Sequence, residues 1–301
     1  MKLLSFDAVV FGYLGIVTAL VVAFRPPGTG LYLAAHAGGV GLILAIVWAH
    51  GRVGGRIWSV ARHWYVVPVV LACFRELHYL VPEVHPFDDL RWDARLAAID
   101  RRWFGDVDGF FLSTLTPATA DLLHLCYWFY FASMVIPGAV LHRQGRMAEL
   151  RTYTCVILTC LFLSYLGYFA VPAVGPHHFF PARPEILDGW LVGGAMHQAI
   201  VTLEKRMADA FPSGHTLMSL VVMTLAWRYD RRIFWSVVAP STGCILATMA
   251  LRYHYVVDVL ASFALWPAAL GLGFAIDRAW GASRGRGTHE GSAPVPPSPI
   301  G

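Results

Sequence analysis

The chain is short of charge. Acidic and basic residues together make up 14% of its 301 positions, and lysine occurs only at Lys2 and Lys205. A formal net charge of +4, carried by scattered arginines, leaves no positive stripe that could follow a phosphodiester backbone, so nucleic acid is not an expected partner. The five cysteines (Cys73, Cys126, Cys155, Cys160 and Cys244) sit inside apolar runs, without the spacing of a zinc site or a secreted disulfide framework. There is no internal repeat, and no separate cleavable leader stands out ahead of the first apolar run. What is abundant is apolar surface. Hydrophobic residues reach 57%, with 11 Trp, 18 Phe and 12 Tyr and a mean hydropathy of +0.56. That composition excludes disorder, coiled coil and collagen, and points to a polytopic membrane protein whose aromatic rings gather at the two lipid–water interfaces.

A helix crossing the ~30 Å hydrocarbon core needs about 20 mostly apolar residues. Eight stretches come close: 6–24, 31–49, 63–81, 122–141, 153–171, 213–229, 233–251 and 255–276. The expected fold is therefore all-α, a transmembrane helix bundle of about eight spans. The third stretch is interrupted by Arg75, Glu76 and His78, and the eighth carries Asp258 about one turn inside. Short arginine-rich connections at 50–62, 142–152 and 228–232 place those loops on the cytoplasmic side by the positive-inside rule. With eight spans, both termini then fall inside, and 25–30, 82–121, 172–212 and 252–254 fall outside. Within 82–121, the run Asp93-Ala-Arg-Leu-Ala-Ala-Ile-Asp-Arg-Arg-Trp-Phe104 reads as an amphipathic helix lying at the interface. The domain reading is two N-terminal helices in 1–60, a catalytic membrane domain in 61–280, and a Gly/Ser/Pro-rich disordered tail in 281–301.

The sharpest chemical signal is Phe211-Pro-Ser-Gly-His-Thr216, which opens the sixth stretch. Ser213 falls at the helix N-cap, the free N–H groups and positive dipole end there favour phosphate, Gly214 permits close approach of the backbone, and His215 is placed to protonate a leaving oxygen. A second signal, Arg252-Tyr-His-Tyr-Val-Val-Asp258, begins the eighth stretch. His254 and Asp258 are i and i+4, a spacing that lets a carboxylate hold one imidazole nitrogen and leave the other as nucleophile or base. A charge inside the bilayer costs about 2.5–3.5 kcal/mol, so Asp258 asks for a functional explanation. The loop topology puts both histidines at the outer mouth of the bundle. Two histidines, an aspartate and a helix N-terminus suit phosphoryl transfer without a metal or other cofactor.

These motifs resemble those of the type 2 phosphatidic acid phosphatase superfamily, whose second motif is Pro-Ser-Gly-His and whose third ends in His-x-x-x-Asp. The resemblance implies His254 as the nucleophile that forms a phosphohistidine, Asp258 as its orienting partner, His215 as the acid, and Ser213 and Gly214 as phosphate ligands. Ile99-Asp-Arg-Arg-Trp-Phe-Gly105 and Gly167-Tyr-Phe-Ala-Val-Pro-Ala-Val-Gly-Pro176 resemble the branch containing inositol phosphorylceramide synthase. Arg252-Tyr-His-Tyr-Val-Val-Asp258 is also similar to the third motif of sphingomyelin synthases. The likeness extends over roughly 60–276.

Two departures bear on substrate binding. The superfamily's lysine-to-Arg-Pro first motif is absent, and the Ser-Arg upstream of the third motif's histidine falls on Ala247 and Thr248. Replacement cations are sought in Arg252, beside the site in sequence, and Arg75, with Tyr79 one turn away and His177 after Gly175-Pro176 at the mouth. His124 reads as a packing residue between helices. The leading expectation is an enzyme that takes a phosphoryl or phospho-headgroup from a lipid at the outer face, as a headgroup transferase or as a plain lipid phosphatase acting on phosphatidate or a polyprenyl pyrophosphate. The competing class is a non-enzymatic transporter with Arg75, Glu76 and Asp258 along its path, or a haem carrier with paired histidines. The expected partners are the bilayer and a lipid phosphate or phospholipid; oligomeric state is not legible.

Overall fold

The computed structural model describes residues 2–85, 91–180, 182–204 and 208–286. Its elements are helical throughout: α1 (Ser5–Phe24), α2 (Thr29–Arg52), α3 (Gly55–Trp64), α4 (Val66–Val84), α5 (Arg91–Phe104), α6 (Val107–Thr114), α7 (Pro117–Arg143), α8 (Met147–Ala170), α9 (Pro176–Phe179), α10 (Gly193–Glu204), α11 (Gly214–Tyr229), α12 (Arg231–Ala250) and α13 (Val256–Arg286). All eight apolar stretches form helix. Among the described residues, seven helical runs are long and apolar enough to cross a membrane, with α3 and α4 counted as one run. The sixth stretch is the exception. Its helix α11 has 16 residues, about 24 Å against a hydrocarbon core of ~30 Å. The chain is a multi-pass membrane protein, and the interfacial helix expected at 93–104 is α5. Helix α13 runs on to Arg286, past the expected tail boundary at 281; residues 287–301 lie outside the described residues, as does Lys205.

Helix α8 is the central post. It packs against α1, α4, α7, α11 and α13, and 78% of its membrane-crossing stretch is buried inside the protein, far more than for any other span. Its sequence is apolar on every side, as a helix must be when neighbours surround it. The outer spans instead turn apolar side chains such as Leu31, Leu42 and Leu122 to the surroundings, which in a bilayer is no penalty.

Two charged clusters inside the bundle are tightly paired. Asp7, in the first turn of α1, accepts hydrogen bonds from the Leu4 amide at 2.6 Å, from the Tyr65 hydroxyl at 2.5 Å and from Arg62 Nη1 at 3.0 Å, and Arg62 and Asp7 are 1% and 0% exposed. The arginine also rests on the Phe6 ring, 5.0 Å from its centroid. Glu76 does not pair with its neighbour Arg75. It accepts from His36 Nε2 at 2.8 Å, while His36 Nδ1 meets the Thr18 hydroxyl at 2.7 Å, so a polar link ties α1, α2 and α4.

Removing one member of a buried ion pair strands the other charge. Asp7→Asn is expected to destabilise the protein by about 3–5 kcal/mol, read as a lowered melting temperature in detergent; a variant that melts with the wild type would show that Arg62 finds compensation elsewhere.

Candidate active site

The site forms where α11 and α13 begin. Ser213 is the N-cap of α11, extended in backbone, and its hydroxyl accepts from the Thr216 amide at 3.2 Å. The first amides of α11 have no upstream carbonyl within the helix, so the end of the helix keeps its donors and its positive dipole. Gly214 is required by its neighbours. A Cβ there would lie 2.5 Å from the Tyr168 hydroxyl and 3.1 Å from Ser164 Oγ on α8, so the glycine lets α11 dock closely on the central post. Hydrogen bonds lace the two motifs together. The Ser213 amide donates to the Asp258 carbonyl at 3.3 Å, and the Ser262 hydroxyl lies 2.8 Å from the Ser213 carbonyl and 3.0 Å from that of Asp258.

His215 and His254 come together, with ring centroids 5.8 Å apart. His215 lies between Tyr127 and Tyr130, each with its ring centroid 4.2 Å away, and the Tyr127 hydroxyl stands 3.5 Å from His215 Nδ1. His254 differs from the helical i,i+4 picture. Helix α13 starts at Val256, so His254 sits in the turn before it, 6% exposed. Its Nδ1 donates to the Ala210 carbonyl at 2.7 Å, and Asp258 Oδ2 lies beyond at 3.6 Å. The acceptor that fixes the tautomer is a backbone carbonyl with the carboxylate behind it, which leaves Nε2 with its lone pair free. Asp258, fully buried, caps its own helix by accepting from the Tyr255 amide at 2.8 Å.

Aspartates invisible as site residues in the sequence hold this geometry. Asp100 of α5 accepts from the Val256 and Val257 amides at 2.6 and 2.9 Å, occupying the start of α13. Asp93, two turns earlier on the same helix, accepts from the Val174 and Gly175 amides at 3.1 and 2.9 Å and from the Tyr255 hydroxyl at 3.1 Å. Burial raises the pKa of both carboxyls, opposed by these same hydrogen bonds. Their i,i+7 spacing beside buried Leu96, on the apolar face of an amphipathic helix, is the signal that could have found them. Asp209 was also missed; burial raises its pKa, with His254 and His178 pulling the other way.

The proposed cations divide. Arg252, in the left-handed backbone region at φ 65°, gives Nε and Nη2 to the two Asp108 oxygens at 2.6 Å each and Nη1 to the Ala182 carbonyl at 2.6 Å. Its donors are engaged in a clamp that ties α6 to the turn carrying His254. Arg75 and Tyr79 are exposed on α4; Arg75 donates to the Tyr79 hydroxyl at 3.1 Å and to the Leu203 carbonyl at 3.2 Å. His177 lies 5.4 Å from the Tyr253 ring and 6.3 Å from the His197 ring between centroids. Burial, then the neighbours His178, His197, His254 and Arg183, push it well below the usual histidine range, so it is neutral at pH 7. His197 falls likewise to about 4. Arg183, whose charge acts on His177 and His197, gives Nε to Asp188 Oδ1 at 2.9 Å and Nη2 to the Leu187 carbonyl at 3.0 Å, while its buried Nη1 has no partner among the described residues. His124 Nε2 donates to the Leu187 carbonyl at 3.0 Å, in a packing role. No group of three or more His, Cys, Asp or Glu among the described residues is arranged to hold a metal ion.

The sequence model of the PAP2 superfamily matches residues 94–272, more than half of the chain. The chain belongs to the PAP2 superfamily. The match runs from α5 into α13 and takes in both laced motifs, whereas α1 to α4, with Arg75 and Tyr79, lie outside it; the likeness read from the sequence reached further, to residue 60. A PA-phosphatase related-family protein of Dictyostelium discoideum is 25% identical over 118 residues, covering 38% of this chain and 21% of that relative, so the chain spans about a fifth of the relative's length. No solved structure matches. Membership of the PAP2 superfamily supports a phosphatase-type enzyme in the membrane.

If Arg252 serves the clamp and not the substrate, Arg252→Ala and Asp108→Asn should lower kcat/KM alike, by about tenfold, and the double variant should be no worse than either. A silent Asp108→Asn beside a damaging Arg252→Ala would make Arg252 a phosphate ligand instead.

Proposed function

We propose that this chain is an integral membrane enzyme that takes a phosphoryl or phospho-headgroup from a lipid phosphate or phospholipid through a phosphohistidine at His254. The observation that carries the reading is the His254 tautomer: Nδ1–H is spent on the Ala210 carbonyl, and Nε2 is left to attack phosphorus across from His215. In the first step a bond forms between Nε2 and phosphorus, the bond from phosphorus to the lipid oxygen breaks, and a proton from His215 goes to that oxygen. In the second, the oxygen of water or of an acceptor hydroxyl attacks phosphorus, gives its proton back to His215, and His254 leaves. The Gly214 and His215 amides at the start of α11, next to the Ser213 cap, receive the phosphate oxygens. Asp258 steadies the positive charge that His254 acquires. Arg183, held through Nε by Asp188 and through Nη2 by the Leu187 carbonyl, has Nη1 left to serve in place of the missing first-motif lysine.

Water as the second nucleophile gives a lipid phosphatase; a lipid alcohol gives a headgroup transferase resembling inositol phosphorylceramide synthase. One observation favours transfer. Both segments that carry the branch resemblance build the site: Asp100 of the first holds the start of α13. In the second, a Cβ on Gly167 would lie 2.3 Å from Pro212 Cδ and one on Gly175 2.5 Å from the Tyr253 carbonyl. A cavity of about 350 Å³ beside His254 and Asp100, largely apolar but with Arg101, Asp108 and Arg252 on its wall, offers room for an acceptor or a headgroup. The short arginine-rich loops support a reading with this mouth at the extracytoplasmic face and both termini inside.

Mass spectrometry of products tests the reading. Purified protein in EDTA is offered phosphatidate, a polyprenyl pyrophosphate, and phosphatidylinositol with ceramide or diacylglycerol. Turnover is expected with chelator present, abolished in His254→Ala and Asp258→Asn, and weakened in Arg183→Ala through a KM raised about tenfold, the worth of one charged hydrogen bond. Free phosphate without an acceptor identifies a phosphatase, and a new headgroup-bearing lipid identifies a transferase. Full activity in His254→Ala would overturn the mechanism.

A further inference from the structure

An apolar groove of about 270 Å³ begins at His215 and Gly214 and runs along α8 from Tyr168 to Leu150, between α4 and α7. Eighteen residues of helix make it about 27 Å long. Its floor is buried α8 side chains, among them Leu158, Leu161 and Tyr165. Its rims are Val67 and Leu71 on α4 and Phe131 and Val135 on α7, all of them exposed apolar residues, so in a bilayer the groove opens sideways to hydrocarbon. The far end is closed by Trp64, whose indole N–H donates to His142 Nδ1 at 2.6 Å. Thus one end is the chemistry of a phosphate site, and the rest has none.

Resting on the phosphotransfer reading, we propose that this groove holds one hydrocarbon chain of the substrate lipid and measures its length. Continuity with His215 fixes the occupant. A chain lying here joins, at the His215 end, the oxygen that His215 protonates, so the groove belongs to the leaving lipid alcohol. The volume, spread over about 27 Å, is a slot one chain wide, and it falls below the ~300–1,000 Å³ of pockets that swallow a compact ligand whole. Its length exceeds one leaflet, which is about half of the ~30 Å core. A chain that fills the groove therefore passes the bilayer midplane, and every methylene up to Trp64 adds apolar contact.

The test uses isoprenoid monophosphates of rising length (geranyl, farnesyl, geranylgeranyl and undecaprenyl phosphate) with the full-length protein in nanodiscs. Wild-type kcat/KM is expected to climb from geranyl to geranylgeranyl phosphate and to gain nothing further with undecaprenyl phosphate, whose chain outruns the end at Trp64. Leu71→Trp and Val135→Trp, which fill the groove from its exposed rims, should flatten the climb by lowering the longest substrate about tenfold, the worth of about two buried methylenes. Geranyl phosphate should be unaffected by either variant, and Leu246→Trp, an exposed position on α12, should behave as wild type. A flat wild-type series, or a climb that survives both rim variants, overturns the proposal. A readout independent of turnover separates it from the functional reading. A lipid phosphate with a photoreactive group in its tail should label peptides of α4 and α7 that line the groove, while the matching lipid alcohol labels lipid-facing helices evenly. Groove labelling with no product from any substrate would sink phosphotransfer and keep the groove; product formation with evenly spread labelling would do the reverse.

Discussion

The buried loop amides at the mouth of this bundle have to be satisfied without water, and aspartates take many of them. A buried amide left without an acceptor costs several kcal/mol in such surroundings. Asp100 takes two amides at the start of α13, Asp93 takes two in the turn after α8, and Asp258 takes the one that precedes its own helix. Asp121 repeats the device at the start of α10, accepting from the amides of residues 190 to 193. The interfacial helix α5 is thereby fastened to two separate loops, and those loops are the ones that carry His254 and face it. If these carboxylates were lost, the loops would have to find water, and the spacing of the two histidines would go with them.

From that constraint the remaining features follow in order. With the outer ends held, Ser213 and Asp258 share hydrogen bonds across α11 and α13, and the Ala210 carbonyl is positioned to take the His254 proton. Helix α8 supplies the rigid reference: Tyr168 and Ser164 set the seat of Gly214, while the same helix floors the groove that runs inward from His215. The short helix α11 is what brings a helix N-terminus, with its anion-seeking amides, into the depth of the bundle instead of leaving it at the surface. On the proposed reading, phosphate recognition and lipid access are two ends of one arrangement.

The all-helical membrane fold was legible because long apolar runs have no other stable reading. The pairing of the two motifs was legible because loop charge assigns a side to each connection. What escaped was the role of single polar residues whose partners are distant in sequence. Arg252 looked free because Asp108 and Ala182 lie 144 and 70 residues away; Arg75 looked like a site cation because nothing in the sequence announces its bond to the Leu203 carbonyl. His254 was placed on a helix that in fact starts two residues later, because the capping role of Asp258 looks the same as an i,i+4 contact when only spacing is visible. Asp93 and Asp100 were hidden inside a helix that reads as ordinary interfacial structure.

The central claim is a covalent phosphohistidine on His254, and the most direct measurement is rapid acid-free quenching of the enzyme with a lipid substrate labelled at phosphorus, followed by peptide mapping. The account predicts a transient, acid-labile and base-stable label on the peptide that contains His254, absent in His254→Ala and formed as fast as the lipid alcohol is released. Turnover at the full rate with no label on that peptide would contradict it.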